Sequence, residues 1–142
     1  TLKFNRYNSM PGGQLKFCVI RDEVSGLFWA TSNLPVDSQD EFGWLKEAEE
    51  AGHFRASAGD RRTLMLHYSA DGLNWFPAGC IAQAAKLSQS FMYARPVIDG
   101  DDLAIVARSS IAAPNQHDAD YATFHRVKDF RKLALKLVPE PE

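Results

Sequence analysis

The chain is built from short extended runs rich in β-branched and aromatic residues, and turn-forming residues separate each run from the next. The runs form two successive sets of four, at 14–21, 26–32, 63–69 and 75–82, then at 91–98, 102–109, 121–127 and 132–138. An earlier run at 2–7 is a further strand candidate. This pattern predicts an all-β protein, and repeated four-stranded units are typical of propeller blades.

A long connection at 33–62 separates the second run from the third. Ser38 and Glu41 have the spacing of a capping box, in which each side chain satisfies a backbone N–H at the start of a helix. Apolar residues follow on one helical face, at Phe42, Leu45 and Ala48. We therefore predict a short helix within this connection, over 39–51.

Length, composition and charge indicate what kind of protein this is and which partners are not expected. The length of 142 residues suggests one domain with a real core, and the hydrophobic and charged fractions of 45% and 24% are those of an ordinary globular protein. The net charge of -2 lacks the basic field that favours nucleic acid or an anionic membrane. No apolar run approaches the roughly 18 residues of a membrane span. We therefore predict neither a nucleic-acid nor a membrane partner.

The two cysteines, Cys18 and Cys80, each lie in an apolar run, where a buried free thiol packs as a small hydrophobic group. Their spacing is neither that of a zinc site nor that of a redox motif. A disulfide between them stays open as an alternative.

The most specific local pattern is Ser69-Ala-Asp71-Gly72-Leu-Asn-Trp75, which lies between two apolar runs. The Asp71 carboxylate can accept backbone N–H groups across a tight turn, and Gly72 can take a positive φ. Ser69 adds a local hydrogen bond, and Trp75 can fold back as an apolar lid. The pattern predicts a tight turn between two strands.

This stretch resembles the Asp box of sialidases and related propellers, in a variant one residue shorter than the usual Ser-x-Asp-x-Gly-x-Thr-Trp. Two further stretches, Tyr93-Ala-Arg-Pro-Val-Ile-Asp-Gly and His117-Asp-Ala-Asp120-Tyr, are similar to segments near the end of bacterial sialidase-like (BNR-repeat) chains. The resemblance covers roughly 14–138. It implies the C-terminal part of such a protein, with an Asp box that is structural and lies opposite the active site.

The domain organisation that the resemblance implies is an incomplete β-propeller of two four-stranded antiparallel blades. The whole chain, 1–142, is then one partial propeller domain. The first blade occupies 10–82 and carries the Asp box and the insertion at 33–62, and the second and last blade occupies 91–138.

The resemblance also implies candidate site residues. Sialidases use a tyrosine nucleophile, because attack by a carboxylate on an anionic sugar is unfavourable, and they hold the sugar carboxylate with arginines. Tyr93 matches that tyrosine by position, with a packed strand aromatic as the alternative. Arg108 is a candidate for binding the substrate, with a solvated strand end as the alternative.

The remaining candidates lie in loops. His117 and Asp118 are candidates for substrate binding, and the alternative is a turn in which Asp118 and Asp120 bond to nearby backbone N–H groups. Arg55, in the insertion, is expected on the same face. A His-x-x-Asp cluster without further ligands is weak support for zinc, so we predict no metal and no cofactor.

The predicted function is that of the C-terminal portion of a sialidase-like glycoside hydrolase, which contributes part of a sugar-binding pocket. The chain alone is expected to be inactive, because the acid/base aspartate, the activating glutamate and further arginines come from earlier blades in that family. The alternative is a noncatalytic carbohydrate-binding or interaction propeller assembled from several copies, in which Trp29 and Trp44 stack on sugars.

The expected partners are a carbohydrate ligand and either the missing blades or further copies of the chain, because two open blades expose apolar sheet faces. The resemblance alone implies a secreted or periplasmic location.

Overall fold

A computed structural model describes residues 2–13, 15–35 and 59–135 of the protein, and two antiparallel β-sheets dominate this part. The first sheet contains β1 (Cys18–Arg21), β2 (Phe28–Asn33), β3 (Thr63–Ser69) and β4 (Phe76–Gln83). The second sheet contains β5 (Ser90–Asp99), β6 (Asp102–Ser110) and β7 (Tyr121–Val127). Each strand pairs with the next along the chain within its sheet, and neither sheet closes into a barrel. The all-β prediction is therefore confirmed.

Seven of the eight predicted runs contain a strand, and the run at 2–7 forms none. The predicted helix at 39–51 lies outside the described residues. The connection that was predicted to contain it does join β2 to β3, because β2 ends at Asn33 and β3 begins at Thr63.

The predicted strand at 132–138 is wrong in its described part. Lys132 and Leu133 belong to a 3-10 helix, Phe130–Leu133, and residues 136–138 lie outside the described residues. Asp129 takes a φ of 49° and turns the chain, after which the Phe130 side chain is fully buried. Burial of this aromatic ring outweighs the alternating pattern of the run. The second sheet therefore has three described strands instead of four.

The hydrophobic core lies between the two sheets. Trp29 is 0% exposed, and its ring centroid lies 4.9 Å from that of Phe130 and 5.8 Å from that of Tyr68. Other buried side chains complete the same cluster, among them Leu64, Leu66, Phe91, Leu103, Ile105 and Ala107. Trp29 therefore cannot stack on a sugar, and Trp44, the other candidate, lies outside the described residues.

Polar contacts at both ends fix the orientation of the two sheets relative to each other. Asn33, at the end of β2, donates from Nδ2 to the Phe91 carbonyl at 2.7 Å. At the opposite end, the Asp22 carboxylate pairs with Arg131 at 2.7 and 2.9 Å. We call the end where β3 and β5 begin the upper end, and the end that contains Asp22 the lower end. β3 and β5 both run from the upper to the lower end.

The cysteines are free thiols, so no disulfide joins them. Cys18 is half-buried on β1, and Cys80 is exposed on β4, at the other edge of the first sheet. The prediction of a buried thiol is therefore wrong for Cys80.

Candidate functional site

Tyr93 lies at a β-bulge near the start of β5, where the register between β5 and β6 shifts between Met92 and Arg95. Its φ is 52°, a value that bulky side chains rarely adopt and that costs about 1–3 kcal/mol of backbone strain. Its side chain is 40% exposed, so packing does not explain the strain. Strained residues of this kind cluster at functional sites, which makes Tyr93 the first residue of the candidate site.

Two cations approach the Tyr93 ring. Lys16 Nζ lies 5.0 Å from the ring centroid, and the guanidinium carbon of Arg108 lies 5.8 Å from it. Lys16 precedes β1 and Arg108 lies near the end of β6, so the two reach the ring from different sheets. Both distances permit a cation–π interaction. The result is an exposed, positively charged aromatic surface at the upper end, which we call the Tyr93 platform.

The loop after β6 positions Arg108. Arg108 Nη2 donates to the His117 carbonyl oxygen at 2.9 Å. Asn115 Oδ1 accepts the backbone N–H groups of His117 and Asp118 at 2.8 and 3.0 Å, and Asn115 Nδ2 donates to the Asp118 carboxylate at 2.6 Å. His117 thus contributes its backbone to the site, and the Asp118 side chain takes part in the turn.

Asp120 also has a structural role in this loop. Its two carboxylate oxygens accept the backbone N–H groups of Ile111 and Ala112, each at 2.8 Å. These hydrogen bonds, led by that of Ile111, hold the pKa of the Asp120 carboxyl below its ordinary value. The geometry is that of the turn alternative, in which aspartates bond to nearby backbone groups.

A buried polar contact anchors the loop to the first sheet. Gln116 donates from Nε2 to Asp60 Oδ1 at 3.0 Å and accepts the backbone N–H of Arg61 at 3.2 Å. Its own carbonyl accepts the Ser90 hydroxyl at 2.6 Å. Asp60 is itself buried and pairs with Arg62 at 3.0 Å. Gln116 therefore fixes the loop that holds Arg108 beside Tyr93.

The predicted turn at Asp71-Gly72 is present at the lower end, directly after β3. Gly72 has a φ of 73°, and Ser69 Oγ accepts its backbone N–H at 2.9 Å. Asp71 Oδ1 accepts the N–H groups of Leu73 and Asn74, each at 2.8 Å. These bonds, led by that of Asn74, hold the pKa of the Asp71 carboxyl well below its ordinary value. The turn lies at the opposite end of the sheets from Tyr93.

Trp75, the last residue of this pattern, is half-buried and lines a shallow pocket with Met10 and Pro11. It therefore packs beside the N-terminal segment, next to the turn that it follows.

The structure brings together some of the predicted site residues and adds others. Tyr93, Arg108 and the His117 backbone meet at the upper end, whereas Arg55 lies outside the described residues. Sequence reasoning missed Lys16, because the predicted strand at 14–21 includes it as an ordinary strand residue. In the structure β1 begins only at Cys18, and Lys16 lies in the irregular segment before it. It also missed Gln116, although this residue directly precedes a predicted candidate.

The described ranges contain neither a metal-binding cluster nor a membrane-spanning helix. No group of three or more His, Cys, Asp or Glu side chains among them could hold a metal ion. No helix within those ranges is both long and apolar enough to cross a bilayer.

The chain matches no protein-family model, no curated protein and no solved structure. A functional proposal for this protein therefore rests on the geometry of its own residues and on the resemblance of its motifs.

The strain at Tyr93 can be measured by substitution with asparagine, which tolerates a positive φ better. We expect Tyr93→Asn to leave the free energy of unfolding within about 0.5 kcal/mol of wild type, because relief of strain offsets the loss of the ring. Tyr121→Asn, at an exposed position in β7, should lower it by about 1 kcal/mol, because asparagine is disfavoured in strands. Urea denaturation measures both, and equal losses would show that Tyr93 is not strained.

Proposed function

We propose that this protein is the C-terminal portion of a sialidase-like glycoside hydrolase, and that its two sheets are neighbouring blades of a β-propeller. A four-stranded antiparallel sheet followed by a second antiparallel sheet supports the proposal. So does the Asp71 turn between the third and fourth strands of the first sheet, at the opposite end from Tyr93. Both features agree with what the resemblance implies.

The observation that carries the proposal is the Tyr93 platform. The backbone φ of Tyr93 is positive, and its side chain is partly exposed. Lys16 and Arg108 both lie within 6 Å of its ring centroid. An aromatic face suits stacking on the apolar side of a sugar ring, and an arginine fork suits a carboxylate. Lys16 adds a second positive charge. The class of ligand that matches this combination is an acidic sugar.

In the proposed enzyme, this chain supplies the nucleophile and one substrate-binding group for hydrolysis of the glycosidic bond. The Tyr93 hydroxyl would lose its proton to a base from another part of the enzyme as its oxygen forms a bond to the anomeric carbon. The bond from that carbon to the leaving-group oxygen breaks, and an acid from another part of the enzyme protonates that oxygen. Arg108 would hold the sugar carboxylate, and His117 would keep Arg108 in place through its carbonyl. Because the acid and the base come from outside this chain, it should bind the sugar without cleaving it.

Titration of the chain with N-acetylneuraminic acid, followed by NMR, tests the proposal. We expect saturable shifts at Tyr93 and Arg108 with a dissociation constant on the order of 1 mM. Arg108→Ala should weaken binding about tenfold, because it removes the carboxylate partner. N-acetylglucosamine, which has no carboxylate, should not saturate the site.

Arg21→Ala is the matched control, because Arg21 is an exposed arginine at the lower end of β1. It should bind N-acetylneuraminic acid like wild type. Equal losses in both arginine variants, or no saturation in wild type, would refute the acidic-sugar site.

Tyr93→Phe separates the enzyme from the noncatalytic alternative. The phenylalanine ring keeps the aromatic surface, so the chain should still bind the sugar. In the whole polypeptide, the substitution should abolish hydrolysis of a sialoside, because the attacking oxygen is gone. Unchanged hydrolysis would remove Tyr93 as the nucleophile, and a wild-type protein that binds but does not hydrolyse would favour a binding module.

A further inference from the structure

The second sheet has an exposed apolar face, on the side that points away from the first sheet. Val97, Val106 and Phe124 on this face are 57%, 52% and 60% exposed. Strand register makes them neighbours, because Val106 lies opposite both Arg95 and Phe124, and Val97 lies opposite Ala104. Val106 belongs to the central strand, so its exposure is not an effect of the sheet edge. We call this surface the outer face, and contiguous exposed patches of this type mark interaction surfaces.

The charges on the outer face are separated along the strands. Arg95 and Arg108 lie toward the upper end, and among the residues that the structure describes no acidic side chain pairs with either. Asp99 and Asp102 lie at the lower end, opposite each other, where Arg126 bridges them at 2.7 and 3.0 Å. The face is thus basic at one end, apolar in the middle and acidic at the other end.

We propose that the outer face binds the same face of a second copy of this chain, in a two-fold dimer whose facing strands run antiparallel. In that arrangement the upper end of each copy meets the lower end of the other, so Arg95 faces Asp99 of the second copy. A parallel arrangement would place arginines against arginines, and like charges in contact disfavour it. Charge complementarity therefore identifies both the occupant and its direction.

The geometry of sheet packing suits this dimer. Stacked sheets lie about 10 Å apart, which is close enough to bury Val97, Val106 and Phe124 between the two copies. A two-fold contact uses the same patch on both copies and closes on itself, so association stops at two. Arg108 belongs to both the outer face and the Tyr93 platform, so the dimer is tested at Val106 and Arg95, which lie outside the platform.

Sedimentation velocity over a range of chain concentrations tests the dimer. We expect a concentration-dependent shift from the mass of one chain to that of two. Val106→Asp should raise the dissociation constant at least about a hundredfold, because it buries two unpaired carboxylates at the centre of the contact. Val106 is half exposed in the single chain, so the variant should keep the wild-type circular dichroism spectrum.

Val24→Asp is the matched control, since Val24 is an exposed valine in the turn between β1 and β2. It should dimerise like wild type. Arg95→Glu should weaken the dimer at least about tenfold, and Arg95→Glu combined with Asp99→Lys should restore it, because the charges are exchanged. This rescue is specific to the antiparallel arrangement.

Several outcomes would overturn the proposal. A single-chain mass at all concentrations would refute the dimer. A mass greater than two chains would mean an open or ring-forming contact instead of a two-fold one. A Val106→Asp variant that still dimerises would place the interface elsewhere.

Discussion

Trp29→Ala is expected to lower the free energy of unfolding by about 4 kcal/mol. The side chain is fully buried where β2 of the first sheet packs against the second sheet, and its ring contacts Phe130 edge-on at 4.9 Å. Alanine would leave a large cavity between two sheets that are each tied to their own hydrogen-bond ladder, so the gap cannot collapse completely. Urea denaturation with a common slope for wild type and variant would measure the loss.

Trp29→Phe should lower the free energy of unfolding by only about 1–2 kcal/mol, much less than Trp29→Ala. Phenylalanine keeps most of the buried ring, and the indole N–H that it removes is buried without an acceptor. Loss of an unsatisfied donor offsets part of the lost packing. Phe124→Ala is the control, because its ring is exposed on the outer face, and at concentrations where the chain is a single copy it should change stability by less than about 1 kcal/mol. Equal effects of Trp29→Ala and Phe124→Ala would contradict a core between the sheets.

The strands were predictable because alternation and turn residues are local signals. The run at 63–69 and the run at 121–127 match β3 and β7 in both bounds. The turn at Asp71-Gly72 was predictable for the same reason, since its hydrogen bonds join residues at most three positions apart.

The region after β7 shows where local signals fail. The run at 132–138 alternates like a strand, but Phe130 packs on Trp29 and Arg131 pairs with Asp22, residues that lie about a hundred positions earlier in the chain. Contacts between residues so far apart in the sequence outweigh the local preference for a strand, and nothing in the run itself reveals them.

The candidate site was predictable only in part. Tyr93 and Arg108 lie on adjacent strands of one hairpin, so strand pairing brings them together. Lys16 comes from the other sheet, and its approach depends on how the two sheets pack. The bulge that gives Tyr93 its positive φ has no sequence signal of its own, because neither glycine nor asparagine occupies the position.

The second large effect is expected at the ion pair that joins the sheets at the lower end. Asp22→Ala should lower the free energy of unfolding by about 3 kcal/mol. Asp22 is 1% exposed, and its carboxylate accepts two hydrogen bonds from Arg131 at 2.7 and 2.9 Å. It also accepts the Ser25 hydroxyl and backbone N–H, so the substitution removes both the inter-sheet bridge and the turn after β1.

Asp22→Asn separates these two roles, because an amide oxygen can still accept from Ser25 but carries no charge to pair with Arg131. Asp22→Asn should lower the free energy of unfolding by about half as much as Asp22→Ala, because a charged hydrogen bond is about twice as strong as a neutral one. Asp118→Asn is the control, since Asp118 is exposed and its carboxylate accepts from Asn115 within the same loop, and we expect a change below about 0.5 kcal/mol.

Acid should erase the stability advantage that wild type has over the Asp22→Asn variant. Arg131 holds the pKa of the folded Asp22 carboxyl well below its ordinary value of 3.8. A group whose pKa is lowered by folding binds its proton more readily in the unfolded chain, so its contribution is complete above the ordinary pKa and declines as the pH falls below it. The stability difference between wild type and Asp22→Asn should therefore be constant from pH 7 to about pH 5 and shrink below about pH 4. A difference that stays constant down to about pH 2 would mean that the charge of Asp22 does not hold the sheets together.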